Sequence, residues 1–359
     1  MPYDRPPLSK QFLLDDWEDE KLALSRGALE ADWKLGCPAL SLAQDSLRLT
    51  LAGGESIEDA DVVVIATGAH ARSLPFGADL EGVIVLRTLP DAHLLRNEIA
   101  RASRVVVVGA GFIGMEVAAS CRAKGLEVAV VDPLPAPLVR GLGPILGERV
   151  ADRHREEGVQ FHLSVGVEDF EGTGRVTGVC LSSGETLKTE LVVVGVGAAP
   201  ATEWLDGAGL EIDNGIVCDA TGSTSRAGVY ALGDCARWAN ANYPEHPRFE
   251  HWTSAVEQSE VVAKYILHAE GAKKAPIPYV WTDQFDLRIA IAGMIEDGDE
   301  MRICHGNLED DRFLALFGRG GGEGRLVAAV GFKRPRQLNA ARKAMAAGIS
   351  FAQAIADNR

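Results

Sequence analysis

The sequence predicts an α/β protein built on parallel sheets, and three observations carry that prediction. Short β-branched runs end repeatedly in glycine, one glycine-rich turn sits between a strand and a helix, and a different pattern begins near Pro276. The runs are 61–68, 104–109, 126–132, 191–195 and 228–234, each with three or more apolar residues in a row. Strands that are apolar throughout are buried on both faces, which is the habit of parallel sheets covered by helices. The runs at 105–108 and 126–131 flank a segment of roughly 112–124. Its Phe112, Ile113, Met115, Val117, Ala118 and Cys121 supply a packing face, so the three pieces form a βαβ unit. The stretch 159–190 reads as an antiparallel meander, because Val159–Leu163 alternates and turn residues recur at 172–174 and 182–184. Beyond Pro276 we predict strands around 288–293, 313–317 and 326–332 and a helix from about Gln337. The glycine-rich segment 318–324 between two of these strands reads as a mobile hairpin tip.

At 359 residues the chain has room for two or three domains. Hydrophobic residues make up 47% and charged residues 24%, values of a folded chain and not of a disordered one. The 36 Lys+Arg against 51 Asp+Glu leave a net charge of −15, which opposes nucleic acid as the main partner. No apolar run approaches a membrane span, and the N-terminus lacks the apolar core of a secretory signal. The cysteines, at 37, 121, 180, 218, 235 and 304, lie at least 17 positions apart, so no C-x-x-C pair or metal-like cluster exists. They read as reduced, mostly buried thiols of a cytoplasmic protein, with no metal site.

Gly109-Ala110-Gly111-Phe112-Ile113-Gly114 is G-x-G-x-x-G, placed after a four-valine strand and at the start of a helix. That context makes it a dinucleotide fingerprint. Gly109 permits the tight turn, Gly111 lets a pyrophosphate approach the backbone, and Gly114 lets helix and strand pack closely. The pyrophosphate would rest on the N–H groups of the helix start beside Phe112 and Ile113. Asp132 ends the next strand. A carboxylate there accepts from a ribose diol and repels a 2′-phosphate, so the site is expected to take NADH in preference to NADPH.

Several further motifs carry a resemblance that runs from Pro2 to about Ala346. They are Pro2-Tyr3-Asp4-Arg5-Pro6-Pro7-Leu8-Ser9-Lys10, Ala66-Thr67-Gly68, Leu86-Arg87-Thr88, Gly233-Asp234, Glu250-His251-Trp252 and Trp281-Thr282-Asp283-Gln284-Phe285-Asp286-Leu287. In that order they resemble the FAD-dependent, NADH-dependent ferredoxin reductases coupled to oxygenases, relatives of the rubredoxin reductases and the apoptosis-inducing factor. The resemblance implies two Rossmann-like three-layer nucleotide-binding domains and an α+β C-terminal interface domain. The FAD domain would take residues 1–97 and 217–280, the NAD domain 98–216, and the interface domain 281–359. It implies flavin contacts from Arg5, Lys10, Thr67, Gly68, Arg87, Gly233 and Asp234. It also implies that Gly195 and Gly197 close over the nicotinamide and that Trp252 lies against one of the reacting rings. Lys10 would pair with Glu116, just after the fingerprint, beside the reacting nicotinamide. Read from the residues alone, Glu116 is an ordinary first-turn helix acid and Asp234 a helix N-cap. Lys10, Glu116 and Trp252 are the residues expected to act in catalysis.

The reaction so implied passes a hydride from NADH to FAD and then single electrons to an iron–sulfur ferredoxin or a rubredoxin-like partner. A disulfide reductase would need a close cysteine pair, or a cysteine within 6–10, and neither is there. From Met301 to Arg359 there are ten Lys+Arg against five Asp+Glu, with Lys333, Arg334, Arg336, Arg342 and Lys343 clustered. Such a patch would steer an acidic ferredoxin.

The family opens with one further strand–G-x-G-x-x-G–helix–strand unit for the FAD pyrophosphate, whereas Met1 here stands just before the flavin loop. We therefore expect an FAD domain incomplete at its N-terminus, with open strand edges that favour a homo-oligomer. This keeps a second reading open: a non-catalytic NADH-binding or interaction module that no longer holds FAD.

Overall fold

The structure is a computed structural model of the chain. It describes every residue except 1, 16, 25–29, 59, 242, 244–246, 269–275, 322–323 and 359. The chain divides into two compact units. The first joins 25–70 with 199–280, and the second joins 2–24, 71–198 and 281–359.

In the second unit the valine-rich runs form a five-stranded parallel sheet. Its order is Val83–Val85, Leu191–Val194, Arg104–Val108, Glu127–Asp132, Gln160–Leu163. Val105, Val106, Val107, Val130, Val192 and Val193 are all buried, as strands covered on both faces require. The crossover connections are the helices Leu89–Ile99, Phe112–Ala123 and Val139–Glu156. Gln160–Leu163 is the edge strand of this sheet, parallel to Glu127–Asp132, and so does not belong to the meander in which the sequence places it. Gln160 is exposed there, and Phe161, His162 and Leu163 are half-buried. The antiparallel meander is confined to Val167–Thr173, Arg175–Leu181 and Thr186–Lys188.

The C-terminal part of this unit is a second five-stranded sheet, ordered Tyr279–Gln284, Leu287–Gly293, Arg325–Phe332, Leu314–Arg319, Glu300–His305. Helices Pro335–Ala346 and Phe351–Asp357 follow. The first starts at Pro335, two residues before the predicted Gln337, because Pro at the helix start needs no N–H partner. Residues 322–323 of the predicted mobile tip lie outside the described residues, while the Gly324 carbonyl beside them accepts from Phe351 N at 2.8 Å. The N-terminal segment packs in the same unit through Leu8, Phe12, Leu13 and Leu22, all nearly inaccessible.

The first unit contains a small antiparallel sheet, Ala39–Leu42, Leu49–Leu51 and Ser56–Ile57. It also has two parallel pairs: Val63–Ile65 with Val229–Ala231, and Ile216–Cys218 with Ala236–Trp238. Leu42, Val63, Ile65, Leu205, Ile216, Trp238 and Val262 share its core. Asp234 does not cap a helix, as the sequence suggests. It lies inside the short 3-10 turn Gly233–Cys235, and a strand follows at once. All six cysteines are free thiols, and Cys121, Cys218 and Cys235 are buried. No helix among the described residues is long and apolar enough to cross a membrane.

In the C-terminal sheet, Phe332 is fully buried and its ring stacks on Phe313 at 4.3 Å between centroids. Phe332→Ala is expected to lower the unfolding free energy by about 3–5 kcal/mol in urea titration. Leu267→Ala, at a position 77% exposed, is expected to leave it unchanged.

Candidate functional site

The fingerprint turn is built by backbone approaching backbone. Gly109 has φ 103°, and a Cβ there would lie 2.3 Å from the Gly195 carbonyl oxygen. A Cβ on Gly114 would lie 2.0 Å from the Gly109 carbonyl oxygen. Both contacts exclude any side chain, so Gly109, Gly114 and Gly195 form one closely packed knot. Gly111 and Gly197 differ: a Cβ on either would meet nothing within 4 Å. They border open space, which a ligand can enter up to the backbone. Gly111 is also the N-cap of the helix Phe112–Ala123, and no side chain caps that end. Ile113 is exposed, and Phe112 lies against Gly141. This geometry fits a dinucleotide pyrophosphate at a helix N-terminus.

Asp132 reaches the same turn from the neighbouring strand. Its Oδ2 accepts from Ala110 N at 2.6 Å and its Oδ1 from Leu134 N at 2.8 Å. The carboxylate therefore fixes the turn's backbone as well as standing at the strand end where a ribose would lie.

Lys10 and Glu116 meet in the second unit, each only 6% exposed. The lysine arrives through a 3-10 turn, Pro6–Ser9, with Pro at its start, and Lys10 N donates to Pro7 O at 3.1 Å. Glu116 faces inward from the fingerprint helix. Lys10 Nζ lies 3.1 Å from Glu116 Oε1 and 3.6 Å from Asp283 Oδ2, and sits 5.6 Å from the centre of the Trp281 ring. Ser9 Oγ donates to Glu116 Oε2, and Thr282 Oγ1 donates to Glu116 Oε1 at 2.7 Å. Burial holds the Glu116 carboxyl above the ordinary carboxylate range, while Lys10, Ser9 and Thr282 pull it back. Glu116 is thus neither a solvated helix acid nor a simple dipole partner.

The line of polar groups continues. Gln284 Nε2 donates to Thr282 Oγ1 at 3.1 Å, and His154 Nε2 lies 2.9 Å from Gln284 Oε1. Desolvation pushes the fully buried His154 down to about 4. The sequence marks Ser9, Thr282 and Gln284 only as members of family motifs, with no role assigned, and His154 not at all; Thr282 and Gln284 stand two apart on a strand and so share one face.

Arg5 is exposed, and its carbonyl accepts from Leu8 N at 3.0 Å. Arg87 precedes the helix Leu89–Ile99, where its N–H donates to Asp91 Oδ2 in the cap that Thr88 completes. Thr67, Gly68, Gly233, Asp234 and Trp252 belong to the first unit. Thr67 Oγ1 donates to Ala201 O at 2.8 Å, and Ala201 N to Gly68 O at 2.9 Å. The Cys235 thiol donates to Ile65 O at 3.7 Å and to Leu232 O at 3.3 Å, so the Gly233–Cys235 turn and the segment leading into Thr67 and Gly68 lie at the carboxyl ends of two paired parallel strands. That end of a parallel sheet is where α/β proteins hold ligands. Gly68, at φ 72°, borders open space. Ser254 Oγ and His251 Nδ1 are buried without a hydrogen-bond partner among the described residues, beside the same turn. These groups fit a polar cofactor such as FAD. Trp252 opens the helix Trp252–Ile266 and is 45% exposed, so it is not a core residue.

A fold with a glycine-turn dinucleotide site, and a second ligand-facing strand end in another unit, defines a two-nucleotide oxidoreductase. Residues 1–259 match the pyridine nucleotide-disulphide oxidoreductase family, and residues 279–359 match the reductase C-terminal domain. Rhodocoxin reductase of Rhodococcus erythropolis is 35% identical over 352 residues, covering 96% of this chain and 81% of that protein. The ferredoxin–NAD(+) reductase component of the anthranilate 1,2-dioxygenase system of Burkholderia cepacia is 34% identical, over 97% of this chain and 86% of that protein. A covalent putidaredoxin reductase–putidaredoxin complex superposes with a TM-score of 0.88 at 29% identity, covering 96% of this chain and 84% of the matched one. The chain belongs to the pyridine nucleotide-disulphide oxidoreductase family, within its oxygenase-coupled ferredoxin reductases.

Because His154 is held at about 4 against an ordinary 6.5, the unfolded chain takes up its proton first as pH falls. Its contribution to stability is present above about pH 6.5 and lost as pH falls towards 4. Thermal unfolding followed between these values should show that loss. His154→Gln, which keeps a neutral donor, should make the loss smaller.

Proposed function

We propose that this protein takes a hydride from NADH onto FAD and delivers the electrons singly to an iron–sulfur partner, a ferredoxin or a rubredoxin-like protein. The observation that carries the reading is the buried Lys10–Glu116 pair, on the helix that the dinucleotide fingerprint opens. A buried ion pair adds little to stability over apolar packing, so its retention asks for another reason. Flavin supplies the change from hydride pairs to single electrons, because a cluster accepts one at a time.

The chain's own residues bind, orient and polarise. Gly109, Gly111 and Gly114 seat the NADH pyrophosphate on the helix start. Asp132 fixes the turn and faces the ribose, which favours NADH over NADPH. Gly197 leaves the nicotinamide end room to lie against backbone, while Gly195 packs against the fingerprint turn. Thr67, Gly68, Gly233 and Asp234 hold the flavin's ribityl chain. Arg5 and Arg87 are suited to phosphate contact. Trp252 presents an aromatic face to a reacting ring. Lys10 is a cation held in a low-dielectric place, where it favours negative charge building beside it. Glu116 keeps the Lys10 ammonium aimed. A module that only binds NADH has no use for such a pair.

The partner surface we assign to the C-terminal helix Pro335–Ala346, where Arg336 and Lys343 are exposed, seven residues apart and so on one face. Free thiols at all six cysteines support a cytoplasmic setting.

Two measurements test these assignments. Lys10→Met should slow bleaching of the flavin absorbance by NADH by about 10²-fold or more, while NADH affinity stays unchanged. A purified protein whose flavin NADH does not bleach would refute the function. Arg336→Glu combined with Lys343→Glu should lower ferredoxin reduction about tenfold at low salt, with the variants converging at high salt. A wild-type rate flat in ionic strength would sink the steering role.

A further inference from the structure

A directed line of hydrogen bonds ends on Glu116, and it begins outside the nucleotide site. It runs from His154 on the helix Val139–Glu156, through Gln284 and Thr282 on the strand Tyr279–Gln284, to Glu116 on the fingerprint helix. The direction follows from chemistry. Gln284 Oε1 can only accept, so His154 Nε2 carries the hydrogen. With that oxygen so engaged, the Gln284 NH2 points to Thr282 Oγ1. The Thr282 oxygen, occupied by that donor, turns its own O–H to Glu116 Oε1. Each group is buried: His154 and Thr282 are 0% exposed, Gln284 1% and Glu116 6%.

Building on the reductase reading, we propose that Thr282 and Gln284, set by the His154 tautomer, are positioning residues that keep Glu116 ionised and so keep Lys10 in place. The physical need is plain. Burial favours the neutral carboxylic acid, and only donors aimed at the carboxylate oppose it. Ser9 and Lys10 come from the N-terminal segment, and the third donor comes from the C-terminal sheet. The charged groups facing Glu116 are Lys10 and, one step out, Asp283 at 3.6 Å from Lys10 Nζ and Arg288 at 3.5 Å from Asp283. Asp283 is the alternative partner for the ammonium. If Glu116 takes a proton, Lys10 loses its nearer counter-charge and swings towards Asp283, away from the fingerprint helix. The C-terminal sheet thereby does more than offer a partner surface: two of its side chains decide where the lysine sits.

The test uses the full-length flavoprotein. Infrared difference titration without nicotinamide reads the Glu116 carboxyl band, identified by its loss in Glu116→Gln. Thr282→Val keeps the shape and removes the donor. It should raise the Glu116 midpoint by roughly one to two pH units, the worth of a hydrogen bond to a charged group. The acid limb of the pH profile for flavin reduction by NADH should move with it. Thr282→Ser should restore both. Gln284→Leu, which touches neither Glu116 nor Lys10, should shift the midpoint in the same direction by less, and it carries the test should Thr282→Val not fold. An unmoved midpoint in Thr282→Val and Gln284→Leu, or no recovery in Thr282→Ser, would overturn the proposal. The midpoint is read without turnover, so a failure of NADH to reduce the flavin would refute the reductase reading alone.

Discussion

A lysine and a glutamate buried against one another constrain the larger unit of this protein. Removing two charges from water costs several kcal/mol each, and their attraction repays that only with good geometry and further hydrogen bonds. Glu116 has its attraction from Lys10 and its hydrogen bonds from Ser9 and Thr282. The N-terminal segment, the fingerprint helix and the C-terminal sheet must each deliver one of these groups. Three stretches distant in sequence are therefore held in register by one carboxylate. The Ser120 hydroxyl adds a second tie, donating to the Ser9 carbonyl at 2.9 Å. The Arg96 guanidinium adds a third, over the Phe12 ring at 4.3 Å.

The dinucleotide turn works by the opposite means, the absence of side chains. Gly109 and Gly114 leave no room for a Cβ, and the carbonyls a Cβ would strike are those of Gly195 and Gly109. Gly111 and Gly197 have room but no atoms filling it. The first set packs the turn on the sheet and the second leaves the approach clear. Asp132 joins the two arrangements by tying Ala110 to the strand end. Packed backbone on one side and open backbone on the other make a rigid seat for a phosphate.

Much of this was legible in the sequence because it rests on local pattern. Four consecutive valines, a G-x-G-x-x-G and an acid at the next strand end carry their meaning within about 30 residues, the length of a βαβ unit. The errors fell where a residue's state is decided by distant partners. Gln160–Leu163 alternates in sequence like a hairpin strand, yet it pairs parallel with Glu127–Asp132 at the edge of the sheet. Asp234 has the look of an N-cap, but the chain turns straight into the strand Ala236–Trp238.

The sequence by itself determined the α/β class and the fingerprint turn, and the family resemblance pointed to the lysine and glutamate. Glycine spacing and apolar runs act through the chain's own covalent geometry. Only the tertiary structure decided that Thr282, Gln284 and His154 stand behind Glu116. A threonine or glutamine on a strand has no local signature, because its hydrogen bond is made or lost according to what a separate element brings near it. Burial also lies outside any local pattern. It turns a common helix glutamate into a carboxylate whose charge depends on donors from positions 107 and 166 residues away.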